Sequence, residues 1–266
     1  MQADPAAVFP PQTPSREPIR FLDLIDGGRL RECFSKGNGN GVKVGLLDSG
    51  VASHHPDLDG KVVANYEVIG SGNDARVVER AQGEDVLDHG TANAFLIHQQ
   101  APEAEIHSVQ VLGPQHNTSS ERLLAALDFA IDQEWDVINL SLGTELNFDK
   151  FADIADRAYY SGVILVAAKA NRPDAIGFPA GLSSVVGVDL EHFESPEQFR
   201  FSPLHCIEVE ASGIYLEAPS IHGGNRNFTG TSFACPQVTG MAARLRSVFP
   251  EMNTSQFKTA LAKLAS

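Results

Sequence analysis

Short apolar runs alternate with longer amphipathic segments along most of the chain, and this alternation constrains the fold more than any other feature. Residues 42–47 predict a buried strand, because the run is rich in valine and leucine and ends in Asp48-Ser49-Gly50. Later segments repeat the pattern, and the helix predicted at 120–135 has Leu123, Leu124, Leu127 and Ile131 on one stripe. Further strands are predicted at 106–112, 136–140, 163–168 and 185–188, and helices at 22–34, 89–100, 120–135, 149–160, 232–249 and 255–264.

Strands that alternate with helices of this length predict an α/β protein, in which a largely parallel sheet is covered by helices on both faces. The chain has 266 residues, which one such sheet can organise as a single domain. We expect this domain to span residues 19–266, preceded by a flexible, proline-rich arm at 1–18. In such sheets functional side chains gather beyond the carboxyl ends of the strands.

The charge balance excludes one large class of partner. The chain has 20 basic and 34 acidic residues, a formal net charge of −14. A chain without a basic surplus has little with which to neutralise phosphates, so nucleic-acid binding is not expected. No apolar run reaches the roughly 18 residues of a membrane span, so we expect no membrane partner either.

The cysteines and the N-terminal sequence bear on the compartment. Cys33, Cys206 and Cys235 form an odd, sparse set without CxxC spacing, which favours free thiols in a reducing compartment over disulfides or zinc. The sequence begins without a basic segment followed by an apolar run, so no signal peptide is visible. We therefore expect a cytoplasmic protein, with a secreted form lacking its leader as the alternative.

Three polar residues stand where strand and helix patterns change. Asp48 follows the strand at 42–47, His89 begins a predicted helix in Asp88-His89-Gly90-Thr91, and Ser232 begins another in the segment 230–236. Each alone has an ordinary structural explanation, as a turn residue, a helix cap or an N-cap. Together they are the groups that nucleophilic catalysis requires, because a serine hydroxyl attacks only when a base removes its proton.

With these neighbours and in this order, the three segments resemble the subtilisin-like serine proteases, whose motifs are D-[ST]-G, H-G-T and G-T-S-x-[AS]-x-P. The likeness runs from about residue 20 to the end and includes further segments at 55–58, 109–113, 137–143, 177–180 and 209–213. It implies a three-layer αβα fold with a mostly parallel central sheet. It also implies a serine endopeptidase that hydrolyses peptide bonds through an acyl-enzyme. Asp48, His89 and Ser232 would form the triad, and Asn171 would donate to the oxyanion.

The resemblance further implies that an extended peptide binds between two edge segments. Ser141, Leu142 and Gly143 match one wall, and His116, Asn117 and Thr118 are a weaker match to the other. The first specificity pocket would be lined by Ala168, Lys169, Ala170 and Gly177.

The sequence departs from the family pattern around this pocket and at the calcium site. Ala170 stands where the family usually has glycine, and Lys169 replaces a small residue, where its cation faces either the pocket or solvent. Asp57 matches one calcium ligand, but the loop that supplies its partners has no counterpart. Since calcium prefers 6–8 oxygen ligands, we expect no calcium site of that type, and no other metal or cofactor.

Two other functions remain open from the sequence. An acyl-enzyme also permits leader-peptide removal or transpeptidation in a peptide biosynthetic pathway, depending on how well water is excluded. A catalytically silent peptide-binding module is the alternative outside enzymes, favoured by the departures at Lys169 and Ala170.

Overall fold

A nine-stranded, mostly parallel sheet forms the centre of the computed structural model, which describes residues 26–58, 60–144, 148–172 and 175–265. The sheet strands are β1 (Lys43–Asp48), β2 (Val62–Ile69), β3 (Arg76–Arg80), β4 (Glu105–Gln110), β5 (Val137–Leu140), β6 (Ile164–Ala168), β7 (Val186–Glu191), β8 (Phe199–Phe201) and β9 (Val209–Ser212). A separate hairpin pairs β10 (Leu216–Pro219) with β11 (Asn225–Phe228). The helices are α1 (Gly27–Lys36), α2 (His89–Gln100), α3 (Ser120–Asp132), α4 (Phe148–Tyr160), α5 (Thr231–Val248) and α6 (Thr254–Leu264).

The strand order is β3-β2-β4-β1-β5-β6-β7-β9-β8, in which all pairs are parallel except the two outermost ones. From β4 the chain crosses through α3 to β5, on the opposite side of β1. The strand order therefore changes direction at β1, and ligands of open α/β sheets bind beyond such a point. Asp48 is the last residue of β1.

Helices cover both faces of the sheet, which confirms the predicted three-layer α/β architecture. On one face α1, α2, α5 and α6 enclose a core that includes Val44 and Leu46 of β1. On the other face α3 and α4 pack over a second core that includes Leu47. Successive side chains of β1 thus enter opposite cores, as expected for a strand buried on both sides.

The predicted strands and helices are present with shifted ends, except that residues 22–25 of the first predicted helix lie outside the described residues, and the sequence missed other elements. The helix predicted at 120–135 ends at Asp132, because Glu134 adopts a left-handed conformation (φ 54°). Strands were not predicted at β2, β3, β8, β9, β10 or β11. These strands are short or mix polar with apolar residues, since they lie toward the sheet edges or in the hairpin. The arm predicted at 1–18 lies outside the described residues and stays a prediction.

His107 of β4 is an internal titratable group stacked on Trp135, with ring centroids 4.9 Å apart. Both of its ring nitrogens are buried, and neither has a hydrogen-bond partner in the part of the chain that the structure describes. Burial, helped by the charge of Lys43, lowers the pKa of His107 from 6.5 to about 4. Protonation of His107 is therefore less favourable in the folded protein than in the unfolded chain.

We expect the free energy of unfolding to fall as the pH drops from 6.5 to about 4, and this component to level off below. The expected loss is about 2 kcal/mol, less than the full shift implies because the ring is partly exposed. Denaturant unfolding at several pH values checks this against His107→Phe. A variant that loses as much stability over this interval as the wild type would contradict the assignment to His107.

Candidate active site

Asp48 and His89 form a buried pair at the carboxyl end of β1. Asp48 is fully buried, and its Oδ1 lies 2.6 Å from Nδ1 of His89, the first residue of α2. The backbone amide of Ser49 donates to the same oxygen at 2.7 Å. Because Nδ1 faces Asp48, Nε2 is the imidazole nitrogen left for another partner.

The charges around His89 favour its protonated form. Burial alone lowers the pKa of His89, but the charge and hydrogen bond of Asp48, together with the charge of Asp85, raise it above its usual value of 6.5. Asp85 accepts a hydrogen bond from Ser49 Oγ at 2.7 Å and from the amide of Thr91 at 2.8 Å. Burial raises the pKa of Asp85 while these bonds oppose the rise. An imidazolium formed during a reaction would thus be stabilised.

Ser232 lies in the first turn of α5, which contacts this pair through Phe233. Phe233, the next residue, packs on the His89 ring with centroids 4.9 Å apart, and the Ser232 carbonyl accepts a hydrogen bond from Ser141 Oγ at 2.8 Å. In this conformation the Ser232 hydroxyl makes no hydrogen bond to His89 among the described contacts. Catalytic hydrogen bonds are often long in proteins without substrate and tighten when substrate binds.

Asn171 is held in one orientation by Thr231. Its Oδ1 accepts from the Thr231 amide at 3.1 Å and from Thr231 Oγ1 at 2.8 Å. Since a backbone amide can only donate, the side-chain oxygen must face Thr231, and Nδ2 points elsewhere. A Cβ added to Gly230 would lie 3.3 Å from Ser232 Oγ and 3.8 Å from Asn171 Nδ2. The serine hydroxyl and the amide donor therefore face one common space.

Comparison with known proteins shows the family of this chain. Residues 39–266 match the sequence model of the Subtilase family. The chain belongs to the subtilase family. It is 29% identical over 242 residues to subtilisin DY of Bacillus licheniformis, covering 86% of this chain and 85% of that protein. It is 27% identical over 242 residues to subtilisin E of Bacillus subtilis, of which it spans 61% of the length.

Solved structures show the same fold. Sphericase superposes with a TM-score of 0.71 at 23% identity, and the S41 psychrophilic protease with a TM-score of 0.70 at 25% identity. Each comparison covers 86% of both chains. The predicted subtilisin-like fold is confirmed, and this chain is a serine endopeptidase of the subtilase family.

The predicted pocket segments of this subtilase converge beside Asn171. Thr144 and Phe178 exchange two backbone hydrogen bonds of 2.9 and 2.7 Å, which joins the 141–143 segment to the chain after Gly177. The amide of Ala170 donates to the Ile176 carbonyl at 3.0 Å. A Cβ on Gly177 would lie 3.3 Å from Cβ of Ala170, so the methyl group of Ala170 narrows this part of the wall. The pocket role of Ser141, Leu142, Gly143, Ala168 and Gly177 stays a prediction.

Lys169 carries no free cation at the pocket. Its ammonium lies 2.6 Å from Asp189 Oδ2 on β7, the neighbouring strand. Its carbonyl lies 2.7 Å from Thr231 Oγ1, whose one hydrogen is shared between this carbonyl and Asn171 Oδ1. The backbone of Lys169 thus supports the site while Asp189 neutralises its side chain. Selection of acidic substrates by this residue is not expected.

The segment His116, Asn117 and Thr118 forms part of a tight turn. The Gly113 amide donates to the Asn117 carbonyl at 3.0 Å, and the His116 amide donates to the Gly113 carbonyl at 3.1 Å. Several backbone groups of this segment are therefore already paired. Its role as the second wall of the cleft stays a prediction.

Asp57 and Cys235 are further polar groups that the sequence singled out. Asp57 is half-exposed, with His55 Nδ1 3.7 Å away. The described ranges contain no cluster of three or more histidine, cysteine or acidic residues suited to a metal ion. Cys235 is buried and donates to the Leu140 carbonyl at 3.6 Å, while burial raises the pKa of its thiol. Within the part of the chain described, no helix is long and apolar enough to cross a membrane.

Sequence reasoning missed several polar residues that contact the site. Besides Asp85, these include Asn93, which donates to Asp48, and Asp88, which accepts from Ser220 Oγ and Arg226 Nη1 at 2.8 and 2.9 Å. Asp88 thereby ties the start of α2 to the β10–β11 hairpin. Asn93 lies one helical turn after His89, a spacing that places both side chains on one face, and this was the only signal in the sequence.

Adding a methyl group at Gly230 is expected to lower kcat/KM by at least about 100-fold, because the group would occupy space faced by both Ser232 Oγ and Asn171 Nδ2. Peptide hydrolysis by Gly230→Ala measures the loss, and thermal unfolding checks the fold. Gly41→Ala is the matched control, since Gly41 also has a positive φ (73°) and a methyl group there meets no described atom within 4 Å. Normal turnover by Gly230→Ala would show that this space is not used by the reaction.

Proposed function

We propose that this subtilase hydrolyses peptide bonds through an acyl-enzyme formed on Ser232, with His89 as general base, Asp48 as the group that orients it, and Asn171 as oxyanion donor. The observation that carries the proposal is the 2.6 Å contact between Asp48 and His89, next to a serine hydroxyl and an amide donor that face the same space.

The first chemical step transfers one proton and forms one bond. His89 Nε2 takes the proton of Ser232 Oγ as that oxygen attacks the carbonyl carbon of the substrate, and the carbonyl π electrons move to its oxygen. Asp48 stays ionised and stabilises the imidazolium. The imidazolium then gives its proton to the leaving amine as the tetrahedral intermediate collapses to the acyl-enzyme. Water repeats the sequence and releases the acid.

The oxyanion of this intermediate requires donors that are already oriented. The amide of Ser232 is in the first turn of α5, where amides have no acceptor within the helix and the helix dipole favours negative charge. Nδ2 of Asn171 is the second donor, and its orientation is set before substrate arrives by the two bonds from Thr231. Such preorganised donors are worth more in a buried site than in water.

The substrate would be a peptide bound in extended form along the 141–143 segment. The Ser141 hydroxyl is not free for that peptide, because it donates to the Ser232 carbonyl and accepts from Asn139 Nδ2 at 2.9 Å. Thr239 in turn donates to Asn139 Oδ1 at 2.8 Å. These buried hydrogen bonds, from Thr239 through Asn139 to Ser141, fix the backbone carbonyl of Ser232.

The activity should rise with pH as His89 loses its proton. Because Asp48 and Asp85 raise the pKa of His89, we expect the acid limb of the kcat/KM profile to have its midpoint above 6.5. Steady-state hydrolysis of a neutral peptide ester or amide between pH 5 and 9 measures this limb. A midpoint below 6.5 would mean that burial outweighs the two carboxylates.

Labelling by a fluorophosphonate tests the assignment of the nucleophile. We expect one adduct, located on Ser232 by mass spectrometry, and cleavage of a proteome-derived peptide library by the same preparation. An added amine separates hydrolysis from acyl transfer through the product masses. A folded protein that never labels and returns bound peptides uncleaved would overturn the proposal and favour a silent binding module.

A further inference from the structure

The Asp48 carboxylate has a second side-chain donor besides His89. Asn93 lies one turn further along α2 and is fully buried. Its Nδ2 is 2.8 Å from Oδ2 of Asp48 and 3.2 Å from Nδ1 of His89. His89 and Asn93 of α2 thus contact the same carboxylate, His89 at Oδ1 and Asn93 at Oδ2.

The environment of Asn93 explains which end of its amide meets the carboxylate. Its Oδ1 is buried and has no hydrogen-bond partner among the described residues. A rotated amide would bring that oxygen against Oδ2 of Asp48, where two acceptors repel each other. A buried carbonyl without a partner normally destabilises a fold. Here it accompanies an N–H group that donates to the carboxylate. A fully buried asparagine with this unfavourable carbonyl points to a role at the site.

We propose that Asn93 is a positioning residue, which fixes the plane of the Asp48 carboxylate so that Oδ1 meets the Nδ1–H of His89. The inference rests on the proposed function. With Ser49 N and His89 on Oδ1 and Asn93 on Oδ2, the carboxylate is held at both ends. Without Asn93 its Oδ2 loses a donor in a fully buried position, and only the two contacts at Oδ1 then set the plane of the carboxylate.

Loss of the Asn93 donor has a second effect, on the imidazole. A hydrogen bond to Oδ2 draws part of the carboxylate charge away from His89. Removing it leaves more of that charge to stabilise the imidazolium, so the pKa of His89 should rise. The other titratable group acting on His89 is Asp85, which such a change leaves in place. The Cys235 thiol stays protonated, because burial and the charge of Asp48 both raise its pKa.

The test compares Asn93→Leu with Gln100→Leu. Both replace a buried amide of α2 by an apolar side chain of similar size, but Gln100 donates to Gln237 Oε1 and the Pro196 carbonyl rather than to Asp48. For Asn93→Leu we expect kcat to fall about 10- to 100-fold, with KM within about twofold. We also expect the acid limb of kcat/KM to move up by about 0.5 to 1 pH unit. Gln100→Leu should lose stability but keep the wild-type kcat and pH profile.

A direct titration separates this role from a structural one. In the Ser232→Ala background, NMR of the His89 ring should show the same upward shift of its pKa on adding Asn93→Leu. If Asn93→Leu does not fold, Asn93→Ala removes the donor without adding bulk and is tested in the same way. A wild-type acid limb and His89 titration in the folded variant would overturn the proposal. Failure of the proposed function itself would appear differently, as wild-type protein that does not label at Ser232.

Discussion

Replacing Ser232 by alanine is expected to lower kcat by roughly 10⁶, because the hydroxyl oxygen that forms the acyl-enzyme is removed. The structure gives the reason for so large a loss. His89 Nδ1 contacts Asp48 and its ring packs on Phe233, the residue after Ser232, and in the proposed mechanism its Nε2 takes the proton of this hydroxyl alone. Hydrolysis of a chromogenic peptide by purified variants measures the change.

Some activity should survive in Ser232→Ala. Oxyanion donors and substrate binding continue to act on an attacking water, which leaves about 10³–10⁴-fold acceleration over the uncatalysed reaction. Ser247→Ala is the matched control on the same helix, because the Ser247 hydroxyl donates to the Arg244 carbonyl far along α5. Its kcat should equal that of the wild type. A Ser232→Ala protein that hydrolyses peptides at the wild-type rate would show that another group is the nucleophile.

The sequence predicted the central part of the fold because the central strands are buried on both faces. β1, β5 and β6 are nearly continuous apolar runs, and such runs are conspicuous. β2 and β3 pair antiparallel at one edge and mix charged with apolar residues, as Glu67 and Arg80 illustrate by pairing across them. Patterns of this kind do not differ from those of loops, so the edge strands and the hairpin were missed.

The site was predictable to the extent that its chemistry lies in short motifs. Asp48, His89 and Ser232 each stand next to glycine or threonine in segments whose order is characteristic. Asn93 and Asp85 have no such context, since an asparagine or aspartate near a helix start is common. They matter because they pair with residues distant in the sequence, Asn93 of α2 with Asp48 of β1 and Asp85 with Ser49. The ion pair between Lys169 and Asp189 is visible only in the structure, because the two residues are 20 positions apart and meet through the pairing of β6 with β7.

The second large effect is expected for Asn171→Leu, with a loss of roughly 10²–10³ in kcat and little change in KM. The leucine fills a similar volume but cannot donate to the oxyanion, which exists only after Ser232 attacks. Thr231→Val should have a smaller effect of about three- to tenfold, since it removes one of the two bonds that orient the amide while the Thr231 backbone donor remains. Steady-state kinetics on the same peptide measures both losses.

The double variant decides whether Thr231 acts through Asn171. Once leucine replaces Asn171, no amide remains for Thr231 to orient, so Thr231→Val should cause no further loss of kcat in that background. Thr231→Val also removes a donor from the Lys169 carbonyl, and any resulting loss of stability should appear equally in both backgrounds. Thermal unfolding of all four proteins separates that effect from catalysis. If the two losses in kcat instead multiply, Thr231 supports the reaction by a route that does not pass through the oxyanion donor.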